Sequence, residues 1–351
     1  MYIILCILIF GLLIAIHEFG HFIVAKACGV RVNEFSIGMG PLLLHKQRGE
    51  TQYSLRLLPI GGFCAMEGED EESEDERAFS RAAGWKRFLI LIAGAGFNFL
   101  AGLIIVLCLY SSVTSYTTTE LAGFLDGFPL QGEEYLMEGD EIVAINGRRV
   151  LLTSDISTLM TLAGDEPVDL TIRRDGETIV LEDLPLTLRE YEVNGQTAMM
   201  YGLQFSVREA GILDRLRLGC YSTVNFVRTV FWSLEMLLTG AAGFNDLSGP
   251  VGIVQVMSEV GQQSPSILAA LENILYFSAF IAVNLAVMNL LPIPALDGGR
   301  VFFLLLNGLC GLVLRRRIPE RLEGAVHFAG LVLLLLLMVA VAVNDVYKIV
   351  T

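Results

Sequence analysis

His17 and His21 stand four residues apart in Ile16-His17-Glu18-Phe19-Gly20-His21, inside an otherwise apolar run over 2–24. On a helix, positions i and i+4 share a face, so two imidazoles can meet one metal ion while Glu18 stands beside them. Zinc suits such a pair. A catalytic zinc takes three protein ligands, keeps a fourth position for water, and leaves the intervening glutamate as general base. Chance is the plainer reading of an H-E-x-x-H match on a soluble helix. In a lipid-embedded run each charged group costs about 2–3 kcal/mol even on the gentlest scale, so an ionisable cluster there points to function.

A third candidate ligand lies in Asn289-Leu290-Leu291-Pro292-Ile293-Pro294-Ala295-Leu296-Asp297-Gly298-Gly299. The two prolines break a helix, and broken helix at membrane depth is tolerated only where protein or water satisfies the freed backbone. Asp297 falls at the same depth as the histidines by the topology below, and Gly298 and Gly299 let the chain turn tightly beneath it. Capping of an apolar helix over 301–313 is the alternative role for Asp297, and it stays open. In Gly94-Ala95-Gly96-Phe97-Asn98 the small residues read as close helix packing, with Asn98 bonding across helices. His45 and His327 have no partner at ligand spacing and read as interfacial side chains.

These residues need a membrane scaffold. The chain has 351 residues, of which 54% are hydrophobic, and its mean hydropathy is +0.59. A bilayer core needs about 20 apolar residues in helix, and the stretches 2–24, 88–110, 274–296 and 325–343 qualify. The run 301–313 is too short to span, while 218–240 carries Arg228 and Glu235 and reads as an interfacial or packed helix. The first run lacks a basic start and a small-residue cleavage site, so it is retained rather than removed as a signal peptide. Six scattered cysteines form no C-x-x-C pair and read as small buried hydrophobes. The net charge of −14 argues against nucleic acid, and the acidic run 67–76 reads as a solvated loop. Lys26, Arg31, Lys86 and Arg87 in one loop, and Arg300, Arg315, Arg316, Arg317 and Arg321 in another, mark both as cytoplasmic. Both termini and residues 114–266 then lie outside, with His21 near the cytoplasmic face.

Between the first two spans, glycines and prolines punctuate short runs such as Thr51-Gln52-Tyr53-Ser54-Leu55-Arg56-Leu57, which predicts hairpins. Strand edges are excluded from lipid, so at membrane depth such an edge would face a cavity, where it can pair with an extended peptide; a plain cytoplasmic loop with a structural hairpin is the alternative. Residues 111–119 read as a polar linker. A soluble domain follows, with strands flanking Asn146-Gly147 and Asp175-Gly176 turns and a helix over 154–162. Gly139-Asp140-Glu141-Ile142-Val143-Ala144-Ile145-Asn146-Gly147 resembles the signature of a PDZ domain, and Tyr201-Gly202-Leu203-Gln204-Phe205 resembles the peptide-binding strand of circularly permuted bacterial versions. The resemblance implies peptide capture by strand addition at Gly202. A sheet that only spaces or blocks access is the alternative.

Taken with Asn289-x-x-Pro292-x-Pro294-x-x-Asp297-Gly298-Gly299, the His17-Glu18-x-x-His21 motif resembles the site-2 protease family of intramembrane zinc metalloproteases over nearly the whole chain. Phe35-Ser36-Ile37-Gly38-Met39-Gly40, Pro59-Ile60-Gly61-Gly62-Phe63 and Gly249-Pro250-Val251-Gly252-Ile253 place it nearest the bacterial regulator-of-sigma-E protease group. Ala95, where the family usually has Pro, and a single PDZ-like domain are departures. The resemblance implies an α-helical polytopic membrane protein of about four transmembrane helices, with a membrane-associated β-hairpin region and an inserted PDZ-like α+β domain. It is divided into 1–113 (spans one and two), 114–207 (extracytoplasmic PDZ-like), 208–272 (amphipathic helices) and 273–351 (spans three and four). It implies a multi-pass protein of the bacterial plasma membrane that cleaves transmembrane segments, such as anti-sigma factors pre-cleaved by another protease and remnant signal peptides. His17, His21 and Asp297 would hold Zn²⁺ and Glu18 would be the base. Tyr53, Ser54, Leu55, Asn289 and Gly202 would contact substrate. The rivals are a catalytically silent PDZ-containing adaptor and an ion transporter. Neither has need of a non-ligating carboxylate at position 18.

Overall fold

The computed structural model describes residues 2–69, 73–193, 195–243, 248–313 and 319–350. Arg315, Arg316 and Arg317, used above for topology, and residues 70–72 of the acidic run lie outside them. In chain order the first elements are α1 (Tyr2–Cys28), β1 (Val32–Arg48), β2 (Thr51–Met66), α2 (Gly84–Tyr110), β3 (Ser115–Phe124), β4 (Glu141–Ile145), β5 (Arg148–Arg149) and α3 (Thr153–Ala163). They continue as β6 (Val168–Arg174), β7 (Glu177–Leu184), β8 (Arg189–Val193), β9 (Gln196–Met200), β10 (Leu203–Glu209), α4 (Ile212–Thr239), α5 (Pro250–Gln263), α6 (Ile267–Leu290), α7 (Asp297–Val313) and α8 (Glu320–Val350). The contacts divide the chain into two compact units, Met1–Val106 with Thr229–Thr351, and Leu107–Arg228.

In the first unit, α1, α2, α6 and residues Arg321–Lys348 of α8 are long and apolar enough to cross a membrane. At 1.5 Å rise per residue each covers a hydrocarbon core of about 30 Å, with every internal backbone group bonded within its own helix. Small residues set the helix spacing. A Cβ on Gly20 of α1 would lie 2.6 Å from the Ala93 carbonyl oxygen of α2, and one on Gly102 would lie 3.0 Å from that of Ala279 in α6. Cys6, Leu13, Met257, Ile274, Ile281 and Ala282 form a core shared by α1, α5 and α6.

The third span is displaced from the stretch expected. α6 starts at Ile267, where the Ser266 hydroxyl accepts from Ala269 N at 3.1 Å, and stops at Leu290 because Pro292 follows. Residues 291–296 are irregular, and α7 begins at Asp297 rather than at Val301.

Strands β1 and β2 pair with each other in four segments rather than as one simple hairpin. Phe35 pairs with both Tyr53 and Cys64, and Tyr53 pairs with both Phe35 and Lys46. The spatial order is therefore 42–48, 51–56, 32–37, 62–66, with 51–56 inside the sheet. Among the described residues no strand pairs the outer edges of 42–48 and 62–66. The acidic stretch after it is bonded rather than freely solvated, since Glu67 accepts from Asn33 Nδ2 at 2.7 Å and Ser73 Oγ at 2.6 Å. Asp75 accepts from Arg31 at 2.9 Å, and Arg300 reaches Glu69.

The second unit holds a six-stranded antiparallel sheet in the order β10-β3-β4-β6-β7, with β5 on β4. The Asn-Gly and Asp-Gly turns are formed, with φ of 49° and 71° at Asn146 and Gly147 and 51° and 86° at Asp175 and Gly176, as turns joining twisted strands require. Residues 115–119, expected to be linker, are instead the start of β3, where 115–117 pair with β10. Tyr116 and the β-branched Thr117, Thr118 and Thr119 suit a pleated surface, and that preference outweighs their polarity. The β8–β9 hairpin stands apart from the sheet. Two fully buried carboxylates are neutralised by arginines: Arg174 donates to both oxygens of Asp140 at 2.8 Å, and Arg228 donates to Asp155 at 2.9 Å. α4 takes in 218–239 of the stretch 218–240 and is not among the helices apolar enough to span.

Candidate active site

One helical turn of α1 carries His17 and His21 to the same face, where their Nε2 atoms are 3.1 Å apart. Asp297 Oδ2 lies 3.1 Å from His17 Nε2 and 3.3 Å from His21 Nε2. Three ligand atoms at tetrahedral positions about 2.0 Å from one zinc would be about 3.3 Å from each other, close to this triangle. His21 Nδ1 donates to the Ile90 carbonyl at 2.8 Å. A carbonyl only accepts, so Nδ1 carries the proton and the Nε2 lone pair faces its neighbours. A lone pair turned toward a carboxylate oxygen repels it unless a cation lies between, and Asp297 Oδ2 is buried without a hydrogen-bond partner among the described residues. The donor set therefore fits zinc, with the Ile90 carbonyl orienting one imidazole as outer partners of ligating histidines do.

The neighbouring backbone makes room for this triangle. A Cβ on Gly94 of α2 would lie 2.7 Å from His17 Cε1 and 2.8 Å from His17 Nε2, and closer still to His21 Nε2. Asp297 is the first residue of α7, and the chain before it is tightly folded. Ile293 N donates to Leu291 O at 2.7 Å, Leu296 N to Ile293 O at 3.2 Å, and Ala295 has φ of 76°. Cβ atoms on Gly298 and Gly299 would strike the Leu290, Leu291 and Ile293 carbonyls, so the turn into α7 is closed to larger residues. Glu18 lies beside the 62–66 strand, where a Cβ on Gly62 would be 3.4 Å from its Cγ.

Comparison with known proteins gives the family. Residues 5–337 match Peptidase family M50. The chain belongs to that family. A putative zinc metalloprotease of Clostridium perfringens is 36% identical over 99% of this chain and 98% of its own length. A second, from Fusobacterium nucleatum, is 32% identical over 98% of both. The regulator of sigma-W protease RasP of Bacillus subtilis is 28% identical over 97% of both. This M50 peptidase is thus a membrane metalloendopeptidase that works with zinc on membrane-protein substrates.

The other expected site residues are distributed as follows. Asn289 is half-buried at the end of α6. Tyr53, Ser54 and Leu55 lie in the inner segment of the β1–β2 sheet, paired to Phe35, Ser36 and Ile37 on one side and Lys46, His45 and Leu44 on the other. Their backbone edges are used, so they offer no edge for strand addition. Tyr53 also packs on the rings of Phe22 and Phe35, with centroids 5.8 and 6.5 Å away. Gly202, at φ of 78°, is covered: a Cβ there would lie 2.5 Å from the Tyr191 hydroxyl and 2.9 Å from the Phe128 ring. Asn98 is buried, but neither of its amide atoms finds a partner among the described residues, contrary to the cross-helix bond expected. His327 is not a bystander, since its Nδ1 accepts from Ala295 N at 3.0 Å. Sequence reading missed the clearance at Gly94 over the histidines, although the glycine itself was visible as a packing residue. The Ile90 carbonyl had no sequence signal, because any residue carries one.

Proposed function

We propose that this M50 peptidase cleaves peptide bonds inside the membrane-spanning segments of single-span proteins, anti-sigma factors and remnant signal peptides among them. In this reading His17, His21 and Asp297 hold the zinc and Glu18 is the general base. The observation that carries it is the triangle of His17, His21 and Asp297 ligand atoms, in which both histidines come from a helix apolar enough to cross a membrane that also bears Glu18. When bound, zinc polarises a carbonyl and lowers the pKa of water toward about 7. Glu18 takes the proton of the attacking water and returns it to the leaving amine.

A helix hides its peptide bonds in internal hydrogen bonding, so the substrate must be held extended. The outer edge of 62–66, rather than Tyr53, Ser54 and Leu55, is the candidate for pairing with it, because that segment runs beside Glu18 and an open edge within a membrane needs a partner. Asn289, in the last turn of α6, holds substrate or the developing oxyanion. The loops carrying Lys26, Arg31, Lys86, Arg87 and Arg300 face the cytoplasm, which puts both termini and the inserted unit outside. We assign that unit, PDZ-like in its strands and turns, to size selection of substrates already trimmed by another protease. Tyr191 and Phe128 over Gly202 speak for selection rather than capture of a peptide end.

The test is to incubate the purified chain with tagged single-span substrates, with and without a folded external domain, while measuring zinc per chain. Glu18→Gln should keep its zinc and lose cleavage by on the order of 10²-fold or more, whereas His17→Ala should lose both. Loss of zinc from Glu18→Gln would refute the assignment of base and ligands, and equal cleavage of trimmed and untrimmed substrates would refute size selection.

A further inference from the structure

We propose that His327, on α8, is a positioning residue for Asp297. The inference rests on Asp297 being a zinc ligand and starts from the backbone that leads into it. Ala295 lies at φ of 76°, a left-handed conformation that a residue with a Cβ adopts only when its surroundings hold it there. The amide of Ala295 points away from the local turn bonds and donates to His327 Nδ1 at 3.0 Å. An amide N–H can only donate, so Nδ1 is the accepting nitrogen and the imidazole proton sits on Nε2.

The neighbours of His327 on α8 complete the grip. One turn earlier, Glu323 accepts from Asn307 Nδ2 of α7 at 3.2 Å. The Phe303 ring of α7 packs on the His327 ring with centroids 5.4 Å apart. Three residues later, Gly330 brings the helix backbone against Pro294, where a Cβ would lie 2.9 Å from the proline carbonyl carbon and oxygen. Positions 323, 327 and 330 fall on one face of a helix, so α8 holds α7 and residues 294–295 together. Asp297 follows two residues later, and its carboxylate direction is set by that turn. His17 and His21 share a rigid helix, but Asp297 depends on an irregular segment that needs an outside partner, and His327 supplies it. This makes α8 part of the zinc site without contributing a ligand.

The experiment measures zinc affinity of the full-length chain in detergent by competition with a chromophoric chelator. Outer partners of metal ligands are worth about 10- to 100-fold in affinity. His327→Leu, which keeps bulk but offers no acceptor, should bind zinc at least about tenfold more weakly. His327→Asn places Oδ1 where Nδ1 was and should recover affinity to within about threefold of wild type. Gly330→Ala, which leaves the imidazole in place and pushes Pro294, should weaken binding as His327→Leu does, and provides the reading if the leucine variant does not fold. Wild-type affinity in His327→Leu or in Gly330→Ala, alongside zinc loss in Asp297→Ala, would overturn the proposal and leave Asp297 as ligand. Equal weakening in His327→Asn and His327→Leu would also overturn it, because ring packing would then be the cause. Wild-type affinity in Asp297→Ala would overturn the ligand reading itself.

Discussion

Gly94→Ala tests whether helix spacing is what shapes the metal site. The added methyl would lie 2.7–2.8 Å from two atoms of the His17 ring and nearer still to His21 Nε2. Carbon contacts settle at about 3.5–4.0 Å, so either the rings or the helices must move by roughly 0.7–1.3 Å. Parting the helices would forfeit the close packing of α1 on α2 at Gly20 and Ala93, so the imidazoles should give way instead. Metal sites tolerate about 0.2 Å in ligand distance, so the shift should cost on the order of 10²-fold in zinc affinity. Overpacking should add about 1–3 kcal/mol of destabilisation. Gly96→Ala is the matched control: two residues along the same helix, it has nothing within 4 Å of the new Cβ and should gain up to about 1 kcal/mol from helix propensity. Zinc per chain by elemental analysis, together with thermal unfolding in detergent, separates the two effects. Full zinc occupancy at wild-type affinity in Gly94→Ala would refute the reasoning.

Two further expectations concern groups away from the metal. Asp345, buried in α8, accepts from Gly249 N at 3.0 Å and Gly252 N at 2.9 Å at the start of α5, so Asp345→Ala should cost about 2–3 kcal/mol by stranding those N–H groups. Asp345→Asn should cost less, and an unchanged unfolding midpoint in the alanine variant would count against the docking role. In the loop after β2, the Asn33 and Ser73 hydrogen bonds hold the Glu67 carboxyl below the usual carboxylate range. The Arg77 N–H and the Arg31 guanidinium do the same for Asp75. A depressed folded-state pKa contributes stability that is present above the unfolded value of about 4 and lost as pH falls through the folded one. Exchange protection of the Phe79 N–H, which donates to Glu67 O, should therefore be flat from neutral pH to about pH 5 and fall below about pH 4.

What could be read from the residues alone was whatever depends on local spacing. His17 and His21 are one turn apart, the four apolar spans announce themselves by length, and Asn146-Gly147 and Asp175-Gly176 fix two turns by their own backbone chemistry. Asp297 was legible as a candidate because prolines at membrane depth demand an explanation, but its meeting with the histidines is a long-range contact that no local pattern encodes. Residues 115–119 were misread because Ser and Thr are common to linkers and strands, and only pairing to β10 decides between them. The inner place of Tyr53, Ser54 and Leu55 follows from a second pairing partner more than fifteen residues earlier, which the hairpin pattern hides. His327 and Asp345 act through backbone N–H groups on other elements, and a backbone amide leaves no mark in a sequence.

The three side chains of the triangle are supplied from opposite ends of the chain, two by α1 and one by the first residue of α7. During synthesis at about 5–20 residues per second, roughly 14–55 s separate the emergence of His21 from that of Asp297. Until then the nascent chain carries two imidazoles and a glutamate but not the carboxylate that closes the triangle. On the proposed ligand assignment, a product terminated before Asp297 is consequently unarmed, and the zinc site can close only after the chain has been made as far as the start of α7.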